Sequence, residues 1–529
     1  MLPSRLARQA LRCFHRPHQI PRTLLAKPSR FSSTKATPPR NDSPELPDHR
    51  KVGAQQELFM TSIYSPGSPI FLPNGARIFN RLVDFLRRQY VSYGFEEVIT
   101  PNIYKKSLWE VSGHLQNYAD DMYTVTSTSR ARQPEATSCP PEATSCPPEA
   151  TSCCGDREPP TATSDGSSRL AEGEDDDYGL KPMNCPGHCL IFASKPRSYR
   201  DLPIRYADFS PLHRNEISGA LSGLTRVRRF HQDDGHVFCR PVQIQPEVFR
   251  TLDFMKSVYG ALGLGDGYAF ALSTRPADHY IGTDAEWARA EAQLRGALEQ
   301  AGLAYTVKAG DGAFYGPKID VMLRDSHGKT HQAGTIQLDF QLPQRFGLEY
   351  SAPAPALEAR GVPLAGVDAA LRETYGPVTP VLIHRAILGS VERLMALLIE
   401  EYNGKWPFWL NPRQAAILTL NDTDPVVDWA AQVRRTLLGI EKEGGADAGL
   451  SQPNPTGFTV DVDASTRPLG EKLAEARAKE YGMILVVGKQ NVEQGTVTLN
   501  SRDAAKRSRE DLTPTDLLSR MNELVDKYQ

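Results

Sequence analysis

The segment Leu212 to Phe238, "LHRNEISGALSGLTRVRRFHQDDGHVF", constrains the fold more than any other stretch of this chain. Its middle, "ISGALSGL", is rich in Gly and Ser and predicts a long hairpin loop between two strands. Side chains alternate between faces along a strand, so Arg226, Arg228, Phe230, Gln232, Asp234 and His236 are expected to project together. That row presents cations first, then an aromatic ring, an amide, a carboxylate and an imidazole. At about 3.3 Å per residue it is long enough to underlie a nucleotide joined to a small polar molecule. On the preceding strand Arg214 and Glu216 share a face. A solvated edge hairpin would account for the charges but not for Phe230 among them.

A second anion-binding element follows. "TPVLIHRAILGSVERLMALLIEEY" reads as a strand through His384, a turn at Gly389 and a helix from about Ser390. Arg393 falls in the first turn, where the helix dipole already favours phosphate. Upstream, "ARIFNRLVDFLRRQYVSYGF" places Ile78, Leu82, Phe85, Leu86 and Tyr90 near a 3.6-residue repeat, predicting an amphipathic helix, and "EEVIT" predicts a strand running into Pro101. These elements suit one large α+β domain over residues 48–404. From residue 405 the character changes, and "GEKLAEARAKEYG" and "MILVVG" predict a separate α/β domain over 405–529 with a mainly parallel sheet. "GGADAGLSQPNPTG" is expected to be a loop within it.

At 529 residues the chain has room for about three domains of the usual size. With 61 basic and 63 acidic residues, no overall positive excess points to nucleic acid, so any such partner must be met locally. No apolar run reaches the roughly 18 residues of a membrane span. The first forty residues carry nine Lys or Arg and no acid, with Leu2, Leu6, Ala10 and Phe14 on one helical face. That pattern predicts a mitochondrial presequence and linker over residues 1–47, hence a matrix location. Cys139, Cys146 and Cys153 sit in the repeat "PEATSCPPEATSCPPEATSC", inside a stretch, 127–177, rich in Pro, Ser, Thr and acid. Such composition predicts a disordered insertion with incidental cysteines. "KPMNCPGHCL" crowds Cys185, His188 and Cys189 into five positions, but a four-ligand metal site within so short a stretch would be strained.

"GFEEVITP", "HRNEISGALSGLTRVRRFHQDDGH" and "IHRAILGSVERL" resemble motifs 1, 2 and 3 of class II aminoacyl-tRNA synthetases. "KPMNCPGH", "WEVSGHLQNY", "FYGPKID" and "GTIQLDF" are similar to the threonyl-tRNA synthetase branch. The likeness spans roughly Asp48 to Thr126 and Tyr178 to Gln529. It implies an antiparallel catalytic sheet with helices, a C-terminal anticodon-binding domain, and attachment of threonine to tRNA(Thr) through a threonyl-adenylate for mitochondrial translation. ATP with Mg²⁺, threonine and tRNA(Thr) are the implied partners, and the motif 1 likeness implies a homodimer.

By that resemblance Arg214 holds the α-phosphate, Glu216 the adenine amino group, and Phe230 stacks on adenine, while Arg226 and Arg393 clamp the outer phosphates. Arg214, Arg393 and His114 are the implied catalytic residues, His114 as a proton relay near the terminal ribose. Gln337 is expected to touch substrate on the ATP side. The family's zinc maps onto Cys185, His236 and His384, leaving coordination open for threonine, with Asp234 accepting the hydroxyl proton and Gln232 and Tyr315 near the amino group. Such a site would reject valine by about 10⁴ to 10⁵, because its polar partners would be left unpaired. Serine lacks only a methyl group, worth about 1 to 3 kcal/mol. With only about 47 residues before the catalytic region, no editing domain is expected in this chain. His188 and Cys189 are expected to be packing or hydrogen-bonding residues. In the C-terminal domain the likeness implies that Glu493 and Arg502 read anticodon bases.

Overall fold

The computed structural model describes residues 46–126, 177–265, 267–278, 280–440, 455–502 and 508–529. The basic N-terminal segment, the cysteine repeat and most of the Gly- and Pro-bearing run therefore lie outside the described residues.

A short helix α1 (His49–Gln55) leads to α2 (Pro73–Tyr93). The proline of α2 occupies a first-turn position where no N–H is needed, and Gly94, at φ 71°, ends the helix in the left-handed region. The expected stripe of Ile78, Leu82, Phe85, Leu86 and Tyr90 is buried. The strand expected from "EEVIT" shrinks to β1 (Glu96–Glu97). Its chain leaves the sheet because Thr100 turns its N–H and hydroxyl to the Asp208 carboxylate.

After α3 (Cys185–Ala193) come β2 (Ile204–Asp208), β3 (Pro211–His213), β4 (Arg229–Cys239), β5 (Tyr268–Ser273), β6 (Tyr305–Lys308), β7 (Lys318–Arg324), β8 (Thr330–Asp339) and β9 (Val381–Ser390). They form one sheet with β1, in the order β6-β5-β7-β8-β9-β4-β2-β1, β3 pairing with β4 off that path. All pairings are antiparallel except β5 with β6 and β1 with β2. The antiparallel α+β architecture expected from the motifs is present.

The last strand, β9, runs into α4 (Val391–Tyr402) through a bulge: Ala386 pairs with Asp234, but the next partner of β4 is Ser390, opposite Gln232. Gly389 makes this possible, since at φ 66° a Cβ there would lie 1.9 Å from the Ala333 carbonyl oxygen. The bulge is held from below by Asp233, whose carboxylate accepts from the N–H groups of Ile387 (2.8 Å) and Leu388 (3.2 Å), from the hydroxyl of Tyr90 (2.6 Å) and from Arg385. The Arg385 guanidinium is fully buried against the Phe95 and Tyr90 rings. One ion pair thus ties α2, β4 and β9 together.

The C-terminal domain contains β10 (Ala415–Thr419), α5 (Asp424–Leu438), β11 (Val460–Asp463), α6 (Leu469–Ala478), β12 (Met483–Val487), β13 (Val497–Asn500) and β14 (Arg509–Leu512), ending in α7 (Pro514–Asp526). Its sheet, ordered β11-β10-β12-β13-β14, is parallel on one side and antiparallel on the other. The mainly parallel sheet expected here is therefore mixed: β12, β13 and β14 follow one another with only short connections, which cannot cross over to a parallel partner. Trp406 and Trp409 pack into the core beneath the large sheet and Phe408 into that of the C-terminal domain, so the change of core falls within this aromatic run.

Candidate active site

A cavity of about 420 Å³ opens on one face of the large sheet, along β4, β8 and β9. One end is built by register. His236 of β4 pairs directly with His384 of β9, which pairs with Gln337 of β8. Directly opposed residues present side chains on the same face, so strand pairing alone brings these three together. Cys185 comes from the start of α3, and its sulfur with the two imidazoles offers ligand atoms all within 4.8 Å of one another.

The orientation of each ligand is set by a neighbour. His384 turns Nε2 to the Asp339 carboxylate (2.8 Å), leaving Nδ1 2.9 Å from His236 Nε2. His236 in turn has Nδ1 2.8 Å from His188 Nδ1. The Asn184 amide donates to Asp234 at 3.2 Å. Burial pushes the His236 imidazole well below its ordinary pKa, which keeps it in the neutral form a metal requires, and pushes the Cys185 thiol well up. A divalent cation among these atoms would supply the positive counter-charge that a buried thiolate needs. One sulfur, two imidazoles with partners on their far nitrogens, and an open side facing the cavity fit a zinc ion that handles substrate. Asp234 and Gln232 of β4 line the same cavity, as does Tyr315, whose hydroxyl donates to Gln337 at 3.1 Å.

The other end is built by a loop. The hairpin expected around "ISGALSGL" runs from Arg214 to Arg228, and β4 begins only at Arg229. Strand alternation therefore does not apply to Arg226 and Arg228. Arg226 does line the cavity, paired with Glu216 at 2.7 Å, but Arg228 turns away to the Glu216 carbonyl (2.9 Å) and the Ser218 hydroxyl (3.1 Å). The guanidinium of Arg214 stands 5.0 Å over the Phe230 ring. Arg393, in the first turn of α4, donates to the backbone oxygens of Thr225 (2.9 Å) and Gln332 (3.0 Å). Burial, and then Arg214 and Arg226, hold its pKa below the usual value, so this corner favours an anion.

Two expected placements differ. Gln337 sits at the His384 end, away from the arginines, because β8 pairs with β9 in that register. His114 is buried behind the cavity wall, with Nδ1 2.7 Å from the Ser112 hydroxyl, Nε2 3.1 Å from the Met183 sulfur, and the Cys185 sulfur 3.8 Å away. Burial lowers its pKa to about 4, so the ring is neutral near pH 7. In the C-terminal domain Glu493 is exposed and 3.8 Å from Lys489, while Arg502 reaches Glu480 at 3.4 Å. Sequence reading named neither Asp339 nor Asn184. The signal for Asp339 was available: two residues beyond Gln337 on β8, it must share that face.

Comparison with known proteins extends these observations. Residues 169–358 match the family model for the class II tRNA synthetase core domain (G, H, P, S and T), and residues 414–524 match an anticodon-binding domain. A protein named probable mitochondrial threonine–tRNA ligase from Schizosaccharomyces pombe is 45% identical over 470 residues, 89% of this chain and 87% of that protein. The mitochondrial threonine–tRNA ligase of Saccharomyces cerevisiae is 41% identical over 94% of this chain and 96% of its own length. Among solved structures, one described as the RNA binding domain of threonyl-tRNA synthetase from Cryptosporidium parvum superimposes with a TM-score of 0.71 at 40% identity, covering 90% of this chain and 98% of that one.

Proposed function

Because this chain belongs to the threonine–tRNA ligase family of class II aminoacyl-tRNA synthetases, we propose that its cavity activates threonine with ATP and transfers it to tRNA(Thr), dividing the two substrates between the two ends of β4. The single observation that carries the division is the placement of the Cys185, His236 and His384 trio in the same cavity as Arg214, Arg226 and Arg393.

Threonine binds at the trio. Cys185, His236 and His384 would hold a zinc ion, which would supply Lewis acidity for the amino and hydroxyl groups of the substrate. Asp234, kept in place by Asn184, accepts the hydroxyl proton, and Gln232 and Tyr315 border the amino group. Burial raises the pKa of Asp234, which suits a carboxylate that shares a proton with a bound hydroxyl. Gln337 belongs to this end, holding Tyr315.

ATP, with Mg²⁺, binds at the arginines. Adenine stacks on Phe230 and displaces the Arg214 guanidinium toward the α-phosphate, while Glu216 takes the adenine amino group. Arg226 exchanges Glu216 for phosphate oxygens; its side chain is 53% exposed, so the exchange is cheap. Arg393 meets the outer phosphates from the start of α4. The threonine carboxylate then attacks the α-phosphorus, pyrophosphate leaves, and a terminal ribose hydroxyl of tRNA takes the threonyl group with release of AMP. Positioning and charge neutralisation supply most of the acceleration in such transfers. His114 would reach the ribose only if Met183 moved aside.

Glu493 and Arg502 would meet the anticodon. Val91, at the end of α2, and Ile99 just beyond it are 85% and 89% exposed, which supports a homodimer built on this region. No helix among the described residues is long and apolar enough to cross a membrane. The basic amphipathic N-terminus supports the mitochondrial matrix as the site of action.

The test is amino-acid-dependent ATP–pyrophosphate exchange across the amino acids. Threonine should be preferred, and Cys185→Ser should lose zinc and on the order of 10³-fold in kcat/KM. Exchange without a threonine preference would overturn the reading.

A further inference from the structure

His49 lies at the start of α1, yet its side chain is buried beneath the loop that carries Arg226. Its Nδ1 is 2.7 Å from the Glu400 carboxylate, near the end of α4. Its Nε2 accepts from the Leu224 backbone N–H at 3.3 Å. The fit is close: a Cβ added to Gly223, itself at φ 49°, would stand 2.1 Å from that Nε2. One residue further on, the carbonyl of Thr225 accepts from Arg393. The segment from Gly223 to Thr225 is thus gripped at two consecutive residues from one helix: through Arg393 in its first turn, and through Glu400 and His49 in its last. Glu400 also accepts from the Ser326 N–H (3.3 Å) and hydroxyl (3.1 Å), fixing the turn that leads into β8, whose Gln332 carbonyl is the other acceptor of Arg393.

His49, Glu400 and Asp48 also have the composition of a metal site. Their atoms are already committed, however, Asp48 to Arg50 (2.8 Å) and Glu400 to His49 and Ser326.

We infer that His49 is a positioning residue for ATP: through Leu224 it fixes the descending limb of the loop so that Arg226, two residues on, stands at the cavity mouth. The contact is specific about the ring. Nδ1 must carry the proton given to Glu400, which leaves Nε2 as the acceptor for Leu224. Without the ring, the Leu224 N–H is buried and unpaired, and the limb is free to shift. The effect should appear where the loop acts, on ATP, and not at the Cys185 end, which is built from strands and α3.

This inference rests on the reading that ATP binds at the arginines. Steady-state pyrophosphate exchange by the full-length protein, with ATP and threonine varied separately and zinc content measured, tests both. His49→Ala should raise the KM for ATP about fivefold, the scale of one hydrogen bond to buried backbone and no more than the loss of Arg226 itself, and leave the threonine KM within about twofold and the zinc content unchanged. His49→Gln, whose amide can both donate to Glu400 and accept from Leu224, should recover most of the ATP KM. If His49→Ala does not fold, Glu400→Gln and His49→Gln carry the comparison: a larger ATP KM in Glu400→Gln, without change in that for threonine, is expected. A His49→Ala protein with a lowered melting temperature but unaltered ATP KM, or with both KM values raised equally, overturns the inference. Absence of threonine-dependent exchange in the wild type would instead overturn the reading on which it rests.

Discussion

The two ends of the cavity are assembled by different means. At the Cys185 end, His236, His384 and Gln337 are neighbours because three antiparallel strands pair in one register, and each is buried and oriented by a further side chain. At the arginine end, Arg214, Glu216 and Arg226 stand on a loop, where Arg226 pairs with Glu216 at a more exposed surface. A small rigid amino acid distinguished by one methyl or hydroxyl needs the first kind of construction. A long flexible polyanion that must enter and leave is served by the second.

The largest disturbance should come from the element shared by both ends. Asp233→Asn leaves the buried Arg385 guanidinium without its counter-charge, which costs about 3 to 5 kcal/mol. Thermal unfolding of the catalytic domain should fall by roughly 10 °C, and the KM values for both substrates should rise; a change confined to one would show that the ends are independent. Next, Arg393→Gln removes the anion-binding group of α4 together with its grip on Thr225, and should reduce kcat/KM for ATP on the order of 10²-fold. Asp339→Asn keeps the shape but weakens the acceptor behind His384. It should reduce zinc affinity by about 10-fold, read by competition with a chelator, and raise the KM for threonine with little effect on ATP. The smallest effect is expected for Arg226→Gln, a change of less than about tenfold in the ATP KM, since this side chain is half-exposed and already neutralised by Glu216.

The same contrast marks what was legible in the sequence. The chemistry of β4 could be read from alternation, because Phe230, Gln232, Asp234 and His236 lie within one regular strand. Alternation failed at Arg228, which sits in the loop, where backbone direction is set by contacts such as Arg228 N–H to the Gly67 carbonyl, from a segment far away in sequence. Helix α2 was readable from its buried stripe, and the start of α4 from Ser390 and Gly389. Nothing in periodicity reveals that His49 meets Glu400 across 351 residues, or that His188 leans on His236. Those pairings exist only after the sheet has closed. His188 and Cys185 illustrate the point within one turn of α3: both are buried, yet one faces the cavity and the other the ring behind it.

The third residue of "DDGH" has a bearing on any attempt to transplant this site. Gly235 separates Asp234 from His236, and a Cβ there would collide with Arg385, 2.3 Å from its Nε. The recognition row on the upper face of β4 is therefore inseparable from the cation packed beneath it. A graft that copied only the substrate-facing side chains onto another sheet, with an ordinary residue in place of this glycine, would carry the vocabulary of the site without its grammar.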